Sequence, residues 1–391
     1  MSTLAHTSSP QALEAQDAEA PLVSVVIPCL NEAENIERCV TAALAAIKEM
    51  GVPGEVVVAD NDSEDDSARL AEEAGAHVIV ERRRGYGSAY LAGFAASSGR
   101  YIVMADADLT YDFNDIPRFV AALEEGAEMV IGDRMDNIQP GAMPWLHRYI
   151  GNPLLSGLLN LFFRTGIKDA HCGMRALRRD VLPRLDLRTT GMEFASEMVI
   201  RASKENLKIA EFPIEYHPRG GESKLSSFRD GWRHLRFLLV HSPNHLFIWP
   251  GTALAGLGTL ILVVAGTGLD LGRDWGIHTL IGGALLMIVG TQVLALGLCA
   301  HAFGTYFMGE KDPWFDRMRA RFRLEHGLLL GGLFALAGIV MGAVVIVTWI
   351  SHGFGSLSDE RLALVAASLV IVGIQIFFSS FLLSILGLRR R

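Results

Sequence analysis

The chain has 391 residues, half of them apolar and 20% charged, with a formal net charge of −8 and a pI near 5.9. That acidic balance argues against a general nucleic-acid binder, which needs a broad basic surface. Cys29, Cys39, Cys172 and Cys299 stand without CxxC pairing, so neither a disulfide frame nor a zinc site is indicated, and a reducing compartment fits best.

Residues 1–20 carry no Lys or Arg and lack the basic and apolar regions of a signal peptide, and they read as a disordered tail. From Leu22 short β-branched runs alternate with helical patterns. LVSVVIP is followed by a helix with Ile36, Val40, Leu44 and Ile47 on one stripe, then by EVVVAD and HVIV. A helix from about Gly87 to Ser98, the strand YIVMAD, a helix from about Asp115 to Glu125 and the strand EMVIGD come next. Continuous apolar strands of this kind belong to a parallel sheet covered on both faces. Ligands in such sheets sit beyond the carboxyl ends of the strands, which here read PCLNE, ADND, ERRRGYG, ADADLT and GDR. Residues Met143 to Phe163 read as an apolar helix interrupted by Gly151, Asn152 and Pro153. The segment DAHCGMRALRRD reads as a loop, and the sheet resumes near KIAEFPIEY. An α/β domain with a mostly parallel sheet is therefore expected over 21–225.

Over 226–245, the run FRDGWRHLRFLLV repeats Arg229, Arg233 and Arg236 at helical spacing beside Trp232, Leu235 and Leu238. It resembles an interfacial amphipathic helix, the alternative being an ordinary helix packed on the domain. Within 246–391 four apolar segments, near Phe247–Leu269, Ile277–Phe303, Gly327–Ile350 and Ala363–Leu388, each meet the roughly 20 residues needed to span a bilayer. Basic residues gather in the 304–326 loop and at Arg389–Arg391, whereas the other loops offer Arg273 and Arg361. The positive-inside rule then puts both termini and the α/β domain on the cytoplasmic side of a bacterial-type cell membrane. No Asp, Glu, Lys or Arg lies deep in the spans, unlike a transporter or proton pump, so anchoring is the expected job.

Asp106 and Asp108 follow a buried run, and their i, i+2 spacing at a strand end turns both carboxylates toward one face. Such a pair suits Mg²⁺ or Mn²⁺ held on a nucleotide diphosphate. Asp-x-Asp alone more often caps a turn, and its place after the fourth strand of the series is what singles it out. Arg84 and the Gly85 backbone could approach phosphate, although no GK[ST] follows them and a plain turn is the bland alternative. The neighbours His171 and Cys172 have no matching zinc ligands at suitable spacing.

In order, VVIPCLNEAENI, VVVADNDSEDDS, GYGSAYLAGF, YIVMADADLT, GDR, DAHCGMRALRR and GESKL resemble family 2 glycosyltransferases of the A-type fold. Within that family the likeness is to the dolichol-phosphate mannose synthase or polyprenyl-phosphate glycosyltransferase group, and it runs from about Leu22 to Leu239. The resemblance implies a nucleotide-diphospho-sugar transferase (GT-A) domain. Pro28, Asn31, Glu32 and Asp60 would line the nucleotide pocket, with Asn61, Arg84 and Gly85 nearby, and Asp106 and Asp108 would hold the metal. It also implies a cationic cluster of Arg134, Arg148, Ser223 and Lys224 around the diphosphate and the acceptor phosphate, with Asp108 and Arg134 as the catalytic residues. The reaction implied is inverting transfer of one hexose from UDP-glucose or GDP-mannose to polyprenyl phosphate, and membrane-anchored members of the group often form homo-oligomers.

The chain departs from that pattern in two places. It reads Asp60-Asn61-Asp62 where relatives have consecutive aspartates, and Glu193 stands where relatives often place a Lys. Glu193 or Glu197 could then be a base for a lipid hydroxyl acceptor, or both could brace Arg134 or Arg175. No Gln-x-x-Arg-Trp occurs, which disfavours a processive polysaccharide synthase. A non-catalytic membrane scaffold is the reading from another class.

Overall fold

The computed structural model describes residues 20–220, 227–267, 276–307, 312–354 and 360–387. Most of the expected tail, Ser223 and Lys224 of the expected phosphate cluster, and Arg389–Arg391 lie outside the described residues. The chain divides into two units, Met1–Leu238 and Leu239–Arg391.

In the first unit the order is β1 (Val23–Cys29), α1 (Ile36–Met50), β2 (Gly54–Asp60), α2 (Ser67–Glu73), β3 (His77–Val80), α3 (Tyr86–Ala96) and β4 (Tyr101–Met104). There follow α4 (Ile116–Glu124), β5 (Met129–Asp133), α5 (Asn152–Phe163), β6 (Arg175–Arg178), α6 (Leu182–Leu185), α7 (Phe194–Lys204), β7 (Ile209–Pro213) and α8 (Ser227–Val240). The strands form one seven-stranded sheet in the order β3-β2-β1-β4-β6-β5-β7. All neighbours run parallel except β6, which is antiparallel to both β4 and β5. Burial over β1, β2 and β4 is nearly continuous, as a sheet covered on both faces requires.

RALR was expected to lie in a loop and is instead a strand. Arg175, Ala176 and Leu177 are buried, and the Arg175 guanidinium satisfies itself by donating to the carbonyls of Ala170, Cys172 and Ala195 at 2.7–2.8 Å. The polar appearance of the segment hid an inward-facing strand. The interruption expected in the 143–163 helix is a π-type turn at His147–Gly151 that leads straight into α5. Trp145, Tyr149, Leu154 and Leu161 on this segment are exposed. In α8, His234 and Leu238, one turn apart, are buried, while Trp232, Arg233 and Arg236 face outward.

The second unit contains α9 (Trp249–Thr267), α10 (Ile277–Phe307), α11 (Pro313–Arg321), α12 (Leu324–Ser351) and α13 (Glu360–Gly387). Among the described residues four helices, Asn244–Thr267, Ile277–Phe307, Leu324–Ser351 and Glu360–Gly387, are long and apolar enough to cross a membrane. Small residues let their backbones approach: a Cβ on Gly258 would meet Met287 N at 2.3 Å, and one on Gly373 would meet Ala335 N at 2.4 Å.

Candidate active site

Parallel register brings the carboxyl ends of the first strands to one edge. Cys29 pairs with Asp60, Asp60 with Val80, and Val26 with Met104. Residues 30–32, 61–62, 81–85 and 105–110 therefore leave the sheet side by side. Because β6 is antiparallel, it enters the sheet from this same edge, with Arg175 opposite Met104 and Ile131. The 169–174 loop is thereby carried to the end of β5.

Asp106 and Asp108 lie beyond the last residue of β4, so a turn brings them together and not the pleat of the strand. Leu109 between Asp108 and Thr110 has a left-handed backbone, φ 62°, which folds the segment back on itself. Thr110 donates from its backbone N and Oγ1 to Asp108 Oδ1, at 3.1 and 2.6 Å. Tyr86 and Tyr90 point their hydroxyls at Asp106 Oδ1, at 3.1 and 3.4 Å. Loss of solvent, and after it the charge of Asp108, push the Asp106 carboxyl up to about 7. Two carboxylates held so close carry charge that an oxygen-seeking dication would relieve. Among the described residues no group of three or more His, Cys, Asp or Glu could hold a metal, so water and phosphate oxygens would fill the other positions. The pair fits a diphosphate-bound Mg²⁺ or Mn²⁺, and not a structural metal.

Arg219 donates through Nη2 to Glu32 Oε1 at 2.6 Å and lies 3.2 Å through Nη1 from Asp108 Oδ2. Its backbone neighbour Gly220 donates to Asp108 O at 3.0 Å, and Asn35 Nδ2 reaches Gly220 O at 3.0 Å. The 217–220 segment is thus tied to Asp108 and Glu32. Sequence reasoning missed Arg219, which stands 187 residues from Glu32 and has no local signal.

Arg134 follows β5 and is buried. It pairs bidentately with Asp169, Nε to Oδ2 at 2.6 Å and Nη2 to Oδ1 at 2.9 Å, while Nη1 reaches Tyr111 Oη at 3.3 Å. Burial would raise the Asp169 carboxyl, but the Arg134 guanidinium more than offsets this and holds it below the usual carboxylate range. Arg134 also lowers Asp106, so its charge is felt at the aspartate pair. Arg148 lies on the π-type turn over the Tyr149 ring, and among the described residues no hydrogen bond or ion pair ties it to Arg134 or Asp108.

The two departures from the family pattern have structural readings. Asn61 donates from Nδ2 to the carbonyls of Glu81 and Arg83, at 2.8 and 2.9 Å, and accepts from Gly85 N at 2.6 Å. An aspartate cannot make the first two bonds. In this structure Gly85 N thus donates to Asn61, and Arg84 donates to Asp62 and Glu64. Gly85 and Gly87 serve close packing, because a Cβ on either would stand 2.1 or 2.2 Å from the Thr190 or Thr189 carbonyl oxygen. Glu197 accepts from Arg188 N, Thr189 N and Thr189 Oγ1, holding that 188–190 turn down. Neither Glu braces Arg134 or Arg175 through a hydrogen bond or ion pair among the described residues; the Glu193 backbone carbonyl accepts from Glu197 N at 2.9 Å, while its carboxylate makes neither contact with them. Cys172 is buried and its thiol is pushed up to about 12, which removes it as a nucleophile.

Among the residues expected to flank a nucleotide, Asn31 Oδ1 accepts from Glu64 N at 2.7 Å, and Asp60 Oδ2 accepts from Ser63 N at 3.3 Å. Pro28 ends the buried run of β1 beside them. Asp60 Oδ1, Ser88 Oγ, His171 Nδ1 and Arg219 Nε are buried without a hydrogen-bond partner.

The sequence profile of glycosyl transferase family 2 matches residues 24–185, and that of the family 2 C-terminal transmembrane region matches 298–387. The low-salt glycan biosynthesis hexosyltransferase Agl6 of Haloferax volcanii is 43% identical over 99% of this chain and 94% of that protein. The chain belongs to glycosyltransferase family 2. A second relative, the dolichyl-phosphate hexose transferase of H. volcanii, is 34% identical over 54% of this chain and 89% of its own length. A third, the undecaprenyl-phosphate 4-deoxy-4-formamido-L-arabinose transferase of Enterobacter sp., is 30% identical over 73% and 89%. With its family 2 transmembrane region and four apolar helices, this glycosyltransferase is an integral membrane protein.

Proposed function

We propose that the protein transfers a single hexose, glucose or mannose, with inversion from a nucleotide-sugar such as UDP-glucose or GDP-mannose to polyprenyl phosphate at the cytoplasmic membrane face. One observation carries this reading beyond family membership. Among the described residues of the first unit, the buried polar side-chain atoms without partners belong to Asp60, Ser88, His171 and Arg219, on segments that meet at the carboxyl edge of the sheet. Buried polar groups are normally paired, so a cluster of unpaired ones calls for a polar ligand. Relatives whose names specify dolichyl phosphate and undecaprenyl phosphate support the acceptor class. The exposed aromatic and aliphatic side chains of 145–161 suit a lipid-facing domain.

In this mechanism Asp60 accepts a hydrogen bond from the base or ribose, and Pro28, Asn31 and Glu32 flank the nucleotide. Asp106 and Asp108 would hold a divalent cation, which would supply charge neutralisation for the diphosphate leaving group. Arg134, fixed by Asp169, places positive charge beside the reacting phosphates, with Arg148, Ser223 and Lys224 as further phosphate contacts. The acceptor phosphate oxygen attacks the anomeric carbon from the face opposite the leaving group. An ionised phosphate needs no base, so catalysis is orientation plus electrostatics. The second reading, a lipid hydroxyl acceptor, has one observation in its favour: the Glu193 carboxylate makes no hydrogen bond or ion pair with the described residues and is free to act as base.

The test incubates purified full-length protein in detergent with Mg²⁺ or Mn²⁺, labelled nucleotide-sugars and short polyprenyl phosphate, and measures label in the lipid phase. Transfer from one donor, abolished by chelation and by Asp108→Asn, is expected. Full activity of Asp108→Asn, or transfer only to a prenyl alcohol, would overturn the proposal.

A further inference from the structure

Ser196, on α7, is fully buried, and its hydroxyl lies 3.3 Å from His171 Nε2 and 3.0 Å from His234 Nδ1. The two imidazole rings meet edge to face, with centroids 4.8 Å apart. His171 belongs to the loop between α5 and β6, and its backbone N–H donates to Asp169 Oδ1 at 3.3 Å. Asp169 in turn grips Arg134 through both oxygens. At the other end His234 is a buried residue of α8 whose outward neighbours are Trp232, Arg233 and Arg236. A hydrogen-bonded chain therefore runs from the buried face of the amphipathic helix, through α7, to the loop that orients Arg134.

The chemistry of the chain couples its members. Burial, and after it the facing His234 ring, pushes His171 well below the ordinary histidine range, so its imidazole is neutral. The single hydroxyl proton of Ser196 can serve only one ring, so the tautomers of the two histidines are linked through it. Three small polar groups held at 0–8% exposure, or beside a buried core as His171 is, do not contribute to the apolar packing that surrounds them. They specify a geometry instead.

Resting on the function proposed above, we propose that Ser196 and His234 are positioning residues, which couple the seating of α8 to the orientation of the Asp169–Arg134 pair. Neither touches substrate. Their effect reaches the reaction through the placement of the guanidinium, which acts on charge that develops in the transition state, so the loss is read in kcat and not in donor KM.

The experiment measures kcat, donor KM and melting temperature for full-length Ser196→Ala, His234→Phe and His234→Gln, and combines Ser196→Ala with Arg134→Lys. Ser196→Ala and His234→Phe are expected to lower kcat about tenfold with donor KM unchanged, while His234→Gln, which still hydrogen-bonds Ser196, recovers most of the rate. In the Arg134→Lys background the serine change is expected to cost less than about twofold, because both act on one group. Wild-type kcat in Ser196→Ala and His234→Phe, or a full additive loss in the double variant, overturns the coupling. If Arg134→Lys lowers turnover while Ser196→Ala does not, the coupling alone fails. Full turnover in Arg134→Lys removes the role given to Arg134 and the coupling with it.

Discussion

Gly85 gives its backbone N–H to Asn61 Oδ1 at 2.6 Å, and the same amide side chain donates to the carbonyls of Glu81 and Arg83. Asn61→Asp replaces the donor by a second acceptor oxygen facing those two carbonyls. We expect a stability loss of about 1–3 kcal/mol, read as a lower melting temperature of the full-length protein. An unchanged melting temperature would mean that the tie contributes nothing.

Asp106→Asn should stabilise the metal-free protein while abolishing its stabilisation by Mn²⁺. The sign follows from the raised carboxyl, near 7. Between the ordinary aspartate range and about 7 the folded state holds a proton that the unfolded state has released, so this residue costs increasing stability as pH rises through that window. Asparagine is neutral throughout. The gain in melting temperature should therefore be a few degrees at pH 8 and small at pH 5, checked by thermal unfolding with chelator present.

Arg134→Met leaves Asp169 buried without its partner, at an expected cost of about 3–5 kcal/mol. Asp169 lies below the ordinary carboxylate range, so the pair's contribution is fully present above the unfolded aspartate value and disappears as acid carries the pH through the folded one. Without the guanidinium only burial acts on Asp169 and raises its carboxyl, so the gap between wild type and variant should widen as pH rises toward 8 and close in strong acid. Equal melting temperatures at pH 8 would contradict the ion pair.

Arg219 puts a positive charge on Asp108 and Glu32. Arg219→Gln should raise the affinity of donor-free protein for Mn²⁺ by about tenfold, since one competing cation is removed. Paramagnetic titration of Mn²⁺ measures it, and equal affinity would show that Arg219 and the ion do not compete.

Much of the fold was readable because its parts are local. Apolar runs such as VVIP and YIVM, and the four long apolar segments, announce buried strands and membrane spans by themselves. β6 was not readable: four residues flanked by arginines look like a surface loop until Arg175 finds three carbonyls. At the candidate site, Asp106 and Asp108 stood out in the sequence from their place after a strand. Asp169 and Arg219 were not assigned roles, because their partners Arg134 and Glu32 are 35 and 187 residues away and only the sheet order brings them together. Arg84 and Gly85 have a local pattern that suits phosphate, and what the sequence did not show is that Asn61 takes Gly85 N while Asp62 and Glu64 pair with Arg84.

Leu109 holds its left-handed backbone between Asp108 and Thr110 without the glycine that would adopt it freely. A side chain kept in that region typically costs on the order of 1–3 kcal/mol. Anyone selecting heat-resistant forms of this enzyme will therefore meet Leu109→Gly or Leu109→Asn early. Such winners would survive the oven with a slacker aspartate turn, so thermostability screens on this protein need a turnover assay beside them.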